Sequence, residues 1–308
     1  MTRHRLVTLA AAVAMLAASQ MAADNSPFLG RWDLVVRTPT ETFPSWIEVQ
    51  DHNGQTTIRL QGKVATVHPV KEFKLTGGHL SFTTEEWLGK PTKVDWEFTA
   101  ENGKISGTQK RPDGVVGVIT GVHAPLLNRQ PPQTWGNPEP LFDGKDLTGW
   151  ESDGSAPNNW QAIDGSLVNV KPGANLLTTR KFQDFKLHVE LNCPDEGNSG
   201  VYLRGRYEMQ VSYEREDPFH GMGAIYGYLA PEKTLKPTPG KWETFDVTLV
   251  GRHVTIVRNG VVTLNNREIA GITGGALNSH EAEPGPIYLQ GDHTGGMRYR
   301  NITISLPK

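Results

Sequence analysis

Four short stretches of the chain place charged or amide side chains at alternate positions, the spacing that gathers them on one side of a β-strand. In Phe185-Lys186-Leu187-His188-Val189-Glu190-Leu191 the apolar residues face one way and Lys186, His188 and Glu190 the other. In Tyr207-Glu208-Met209-Gln210-Val211, Glu208 and Gln210 oppose the remaining three. Tyr202 and Arg204 oppose Val201 and Leu203, and Tyr288 and Gln290 oppose Ile287 and Leu289. Alternation therefore lets Glu190, Arg204, Glu208 and Gln210 share a non-core face. Carboxylates beside a guanidinium and an amide can move protons and steady an anion. The competing reading is a solvated outer face, with Arg204 paired to Glu208.

Histidines offer a second source of proton transfer near neutral pH. Asp292-His293 sets a carboxylate beside an imidazole just past the Gln290 strand, and His220 lies in the loop Asp217-Pro218-Phe219-His220-Gly221-Met222-Gly223. Tyr226, between Gly223 and Gly227, is the aromatic residue placed where backbone can approach a ligand closely; Trp150, Trp160 and Trp242 read as core. No histidine pair on a helix and no acidic calcium loop demands a metal, so metal ligands stay unknown. The lone Cys193 excludes an intrachain disulfide and a cysteine-rich metal site, and reads as buried filler at a strand end.

The elements that must position these residues are strands. From Phe28 to about His123, stretches such as Trp46-Ile47-Glu48-Val49 and Val94-Asp95-Trp96-Glu97-Phe98 alternate, and Asn53-Gly54, Gly77-Gly78 and Asn102-Gly103 supply hairpin turns. This predicts a small antiparallel β-domain over 24–127, curved or lipocalin-like. Residues 128–140 hold Pro131, Pro132, Pro138 and Pro140 without apolar periodicity and read as a stiff linker. Longer alternating strands resume over 141–308, with an evident hairpin at Arg258-Asn259-Gly260, and suit a jelly-roll sandwich. No window carries a helical period, so the whole chain reads as all-β.

The chain has 308 residues and a net charge of −2, with no basic stripe, which argues against a nucleic-acid partner. Arg3, His4 and Arg5 precede the apolar run Leu6 to Ala18 and the small residues Ala17 and Ser19. That layout is a secretory signal peptide over 1–23, and it predicts a secreted or periplasmic protein. As a helix the run spans about 20 Å, short of the roughly 30 Å hydrocarbon core, and no later segment reads as transmembrane.

Leu141-Phe142-Asp143-Gly144-Lys145-Asp146-Leu147-Thr148-Gly149-Trp150 resembles the opening signature of the 3-keto-disaccharide hydrolase family. Gly197-Asn198-Ser199-Gly200-Val201-Tyr202-Leu203-Arg204, with Tyr207 to Val211, resembles its central motif; Gly223 to Gly227, Pro286 to Gln290 and Arg300-Asn301-Ile302 follow in order. The resemblance spans 141–308 and implies a concanavalin A-like jelly roll. It also implies cleavage of glycosides oxidised at carbon 3, by 1,2-elimination and hydration. Such chemistry assigns Glu190 or Glu208 as base or acid, Arg204 as enolate stabiliser and His293 as a further base, with Gln210, Tyr226, Gln290 and His220 contacting substrate. A divalent cation would suit the enolate. Two other readings use the same face: a non-catalytic carbohydrate-binding protein, and a conventional glycosidase with Glu190 and Glu208 flanking the bond. Oligomeric state is not legible.

Overall fold

Alternating apolar and polar residues, broken by glycine and asparagine turns, put nearly every element of this chain into antiparallel strands. The structure is a computed structural model describing residues 26–64, 66–214 and 216–308; the leader predicted over 1–23 lies outside the described residues. Two units emerge, Met1–Ala124 and Pro125–Lys308.

The first unit holds β1 (Gly30–Arg37), β2 (Thr42–His52), β3 (Gln55–Gln61), β4 (His68–Pro69), β5 (Phe73–Thr76), β6 (His79–Trp87), β7 (Pro91–Glu101), β8 (Lys104–Lys110) and β9 (Val116–His123). They form one sheet in the order β4-β3-β2-β1-β9-β8-β7-β6-β5. Sequential strands pair except β4 and β5, which are the two ends of the order, and β1 meets β9, so the sheet has curled until its first and last strands join. Asn53-Gly54 and Asn102-Gly103 turn with all four residues at positive φ. Trp32, Leu34, Ile47, Leu60, Phe82, Trp96 and Ile119 fill the interior. The roll is tight enough that a Cβ on Gly62, just past β3, would lie 2.1 Å from Glu86 Oε2 on β6. This is the curved antiparallel domain the sequence predicts.

The second unit contains β10 (Glu139–Pro140), β11 (Trp150–Ser152), β12 (Trp160–Ile163), β13 (Ser166–Asn169), β14 (Leu176–Thr178), β15 (Phe185–Asn192), β16 (Asn198–Leu203), β17 (Tyr207–Ser212), β18 (Trp242–Val250), β19 (His253–Arg258), β20 (Val261–Glu268), β21 (Tyr288–Leu289) and β22 (Met297–Ser305). An eight-stranded sheet runs β12-β13-β22-β15-β18-β19-β20, with β10 also on β22; a five-stranded sheet runs β11-β14-β21-β16-β17. Leu187, Val189, Phe245 and Val247 from the larger sheet meet Val201, Leu203, Met209, Val211 and Leu289 from the smaller in one core. The result is the jelly-roll sandwich.

The proline-rich stretch 128–140, read from sequence as a linker, belongs to this second unit. Gly136 N donates to Leu306 O at 2.7 Å, and Glu139–Pro140 pairs with Thr303 and Ile304 as a short edge strand, where a proline is tolerated. Cys193 is fully buried at the end of β15, and burial pushes its thiol up to about 12, so it is inert filler. Among the described residues no helix is long and apolar enough to cross a membrane.

Candidate functional site

The five-stranded sheet has one face in the sandwich core and one facing away. Because Tyr207, Met209 and Val211 of β17 enter the core, Glu208 and Gln210 point away from it; in β16 the same holds for Gly200 and Tyr202 against Val201 and Leu203. Registry sets them in rows: Tyr202 lies opposite Glu208 on one side and Tyr288 of β21 on the other, and Gly200 lies opposite Gln210. Gln290 continues the face beyond β21, its N–H donating to Gly200 O at 2.9 Å.

Along the free side of β17 runs the segment 221–229, held by Gln210 N donating to Ala224 O and Tyr226 N donating to Glu208 O. This brings Tyr226 beside Glu208 and stacks it, tilted, on His220 with ring centroids 4.8 Å apart. At the other end Thr294 Oγ1 accepts from Asn198 N at 2.7 Å, anchoring the loop that carries Asp292 and His293. His293 Nδ1 and Asp292 Oδ1 are 2.6 Å apart.

The face is buried beneath these loops and nearly free of charge. Glu208 is only 3% exposed, and burial pushes its carboxyl up to about 8, with the Asp292 carboxylate pushing the same way. Glu208 Oε2 lies 2.8 Å from Tyr202 Oη, which lies 2.8 Å from Gly274 O. Tyr202 stacks on Tyr288 with centroids 4.1 Å apart and planes 6° from parallel. Burial raises both phenols, and Tyr226 to about 12, so all three keep their protons. Gln210 Oε1 and Gln290 Oε1 are buried and accept no hydrogen bond. The hydrogen bond that His293 donates to the Asp292 carboxylate raises its pKa against the opposing pull of burial. The arrangement offers a proton-transfer carboxyl, amide acceptors awaiting hydroxyl donors, and an imidazole held by a carboxylate.

Glu208, Gln210, Gln290, Tyr226, His220 and His293 thus gather around one face, whereas Glu190 and Arg204 do not join them. Glu190 lies on the outer face of the eight-stranded sheet, bonded by Arg300 Nε at 2.7 Å and by Asn301. The sandwich, roughly 10 Å between sheets, separates it from Glu208, so the two cannot flank one glycosidic bond. Arg204 turns into the core: its φ of 55° ends the strand alternation, and Nη2 donates to Gly251 O at 2.7 Å and Tyr207 Oη at 3.0 Å. It pairs with neither Glu208 nor this face. Trp150 and Trp160 are core, and Trp242 carries the Arg300 guanidinium 4.0 Å from its ring centre. Sequence reasoning passed over Tyr202 and Tyr288 as site residues, although alternation already set them on this face. It could not find Gly274, whose backbone carbonyl arrives from a distant loop. Among the described residues no three His, Cys, Asp or Glu side chains converge as metal ligands.

Residues 137–305 match the 3-keto-alpha-glucoside-1,2-lyase-like domain. Among solved structures the chain is similar to a proposed glycosyl hydrolase of Parabacteroides distasonis at 29% identity, covering 58% of this chain and 93% of that one with a TM-score of 0.46. A second proposed glycosyl hydrolase of that organism is 23% identical over 55% of this chain and 98% of that one, with a TM-score of 0.43. No curated protein matches the chain.

Proposed function

This chain belongs to the 3-keto-alpha-glucoside-1,2-lyase-like family through residues 137–305, and on that premise we propose that it cleaves glycosides carrying a ketone at carbon 3. As a member it is a carbohydrate-active, glycosyl-hydrolase-like protein; the 3-keto requirement, the elimination route and export by the leader are parts of the proposal. One observation supports it above the others. Gln210 Oε1 and Gln290 Oε1 flank a buried Glu208 and accept nothing, which suits a neutral, hydroxyl-rich ligand.

The ketone acidifies the hydrogen on carbon 2. His293, held by Asp292, takes that proton in its neutral form; the electrons form the C1–C2 double bond as the bond from C1 to the aglycone oxygen breaks. Glu208 protonates the departing oxygen. The amide N–H groups and Tyr288 supply donors for the charge that builds on the ketone oxygen. In the second half water adds its hydroxyl to C1 and a proton returns to C2, so the net change is hydrolysis. With Glu190 on the far side of the sandwich, it cannot join Glu208 as the carboxylate pair of a mechanism on an unoxidised bond.

Incubation with a nitrophenyl 3-keto-glucoside and with its unoxidised parent tests the reading. Aglycone release from the ketone alone is expected. Release from both would overturn the keto requirement, and release from neither would leave a binding protein.

A further inference from the structure

We propose that Tyr202 is a positioning residue that accepts the proton of a neutral Glu208 carboxyl and orients it, so that the site meets its substrate with a proton to give. The role of that proton rests on the function proposed above; its presence rests on geometry alone.

The argument is a count of protons. Tyr202 Oη lies 2.8 Å from Glu208 Oε2 and 2.8 Å from Gly274 O. Both distances are those of good O–H···O bonds. A phenol has one proton, and a backbone carbonyl can only accept. Were Glu208 ionised, one of the two contacts would set lone pair against lone pair in a buried site. The count closes when Tyr202 donates to Gly274 O and Glu208 Oε2–H donates to Tyr202 Oη. Tyr202 has no room to relax away from this arrangement. It is 1% exposed and stacked on Tyr288, and a Cβ on Gly275 would lie 2.4 Å from its hydroxyl oxygen.

The surroundings agree with a neutral Glu208. Gly200 and Tyr202 face it from β16 and Tyr226 lies beside it in the 221–229 segment, with Tyr288 of β21 stacked behind Tyr202, all without charge. The charged group acting on it is Asp292, a carboxylate, which disfavours ionisation.

The same hydroxyl serves the product state. When the Glu208 O–H bond breaks and the proton passes to the aglycone oxygen, Oε2 becomes a pure acceptor. Rotation about the Tyr202 C–O bond then turns its proton from Gly274 O to Oε2. On hydration Glu208 regains a proton from the attacking water, and Tyr202 turns back.

Infrared difference spectra of the full chain test the proton count without substrate. A protonated-carboxyl stretch is expected at pH 7 and is expected to vanish in Glu208→Gln. In Tyr202→Phe it should persist but move to higher frequency, since the acid has lost its acceptor. Should that variant not fold, 3-fluorotyrosine at position 202 keeps the shape, weakens the acceptor and should shift the band the same way by less. No protonated band at pH 7, or a band unmoved by either change at Tyr202, overturns the inference. Leaving-group dependence gives the catalytic arm. Tyr202→Phe, which leaves the acid protonated but without its orienting partner, should slow release of methanol from methyl 3-keto-glucoside by about 10-fold, a part of the roughly 100-fold or more that general acid catalysis contributes, while scarcely affecting nitrophenol release. Equal losses on both would overturn the acid's role even with the band in place; no cleavage by the wild type would sink the proposed function but leave the spectra decisive on the proton.

Discussion

A Cβ on Gly200 would sit 2.2 Å from Oε1 of Glu208 and 2.8 Å from its Cδ. The glycine in β16 is thus the floor on which the Glu208 carboxyl rests, and its cross-strand partner Gln210 stands alongside. Gly200 is ordinary extended strand, so alanine brings no backbone strain and only crowds the carboxyl. Gly200→Ala should cost about 1–3 kcal/mol of stability, a drop of several degrees in Tm. Its kcat/KM should fall nearly as far as that of Glu208→Gln. Calorimetry and kinetics on the same preparation check the pair of outcomes; unchanged turnover would show that the carboxyl is not used where it lies.

Stability should record the proton on Glu208 even without substrate. The folded chain holds that proton up to about pH 8, whereas a carboxyl freed by unfolding loses it near its ordinary value of 4.5. Between those limits the folded state binds more protons than the unfolded one, so stability declines as pH rises from about 4.5 to about 8 and levels off beyond. Glu208→Gln has nothing to lose over that interval. Its urea midpoint should fall less steeply with pH and overtake that of the wild type near and above pH 8. Parallel curves would mean that Glu208 is ionised throughout.

The strands and the face holding Glu208, Gln210, Tyr202, Tyr288 and Gln290 were legible because side chains alternate along a strand whatever the tertiary fold. The two misplaced residues mark where that rule stops. Alternation says which way Glu190 points from its own strand, but not that β15 lies in the opposite sheet from β17, which long-range pairing decides. Arg204 falls at the first residue of a turn, where φ values of 55° there and 64° at Gly205 reverse the side-chain direction. The proline-rich stretch shows a third limit: a short edge strand formed by Glu139 and Pro140 has no pattern of its own and exists only because β22 offers it a partner.

Glu190 gives the control for the site. Its bonds to Arg300 and Asn301, together, hold its carboxyl below the usual range although burial works the other way. The pair is partly exposed, so Glu190→Gln should cost no more than about 1 kcal/mol and leave kcat and KM unchanged. A hundredfold loss of turnover in this variant would return Glu190 to the mechanism and contradict the division between the two sheets.

Asp292 acts on both proposed proton-transfer groups in the same sense. Its hydrogen bond raises His293 above 6.5, and its charge adds to the burial that raises Glu208 to about 8. A base works when neutral, so activity should fall as pH drops through the raised His293 value. An acid works when protonated, so activity should also fall as pH rises through about 8. The profile of kcat/KM should therefore be a narrow bell. Asp292→Asn removes the negative charge from both neighbours and should move both limbs to lower pH, while His293→Gln should lower the rate and abolish the acid limb. Limbs that moved apart in Asp292→Asn, or an acid limb surviving in His293→Gln, would show that the base lies elsewhere, with His220 the next to replace.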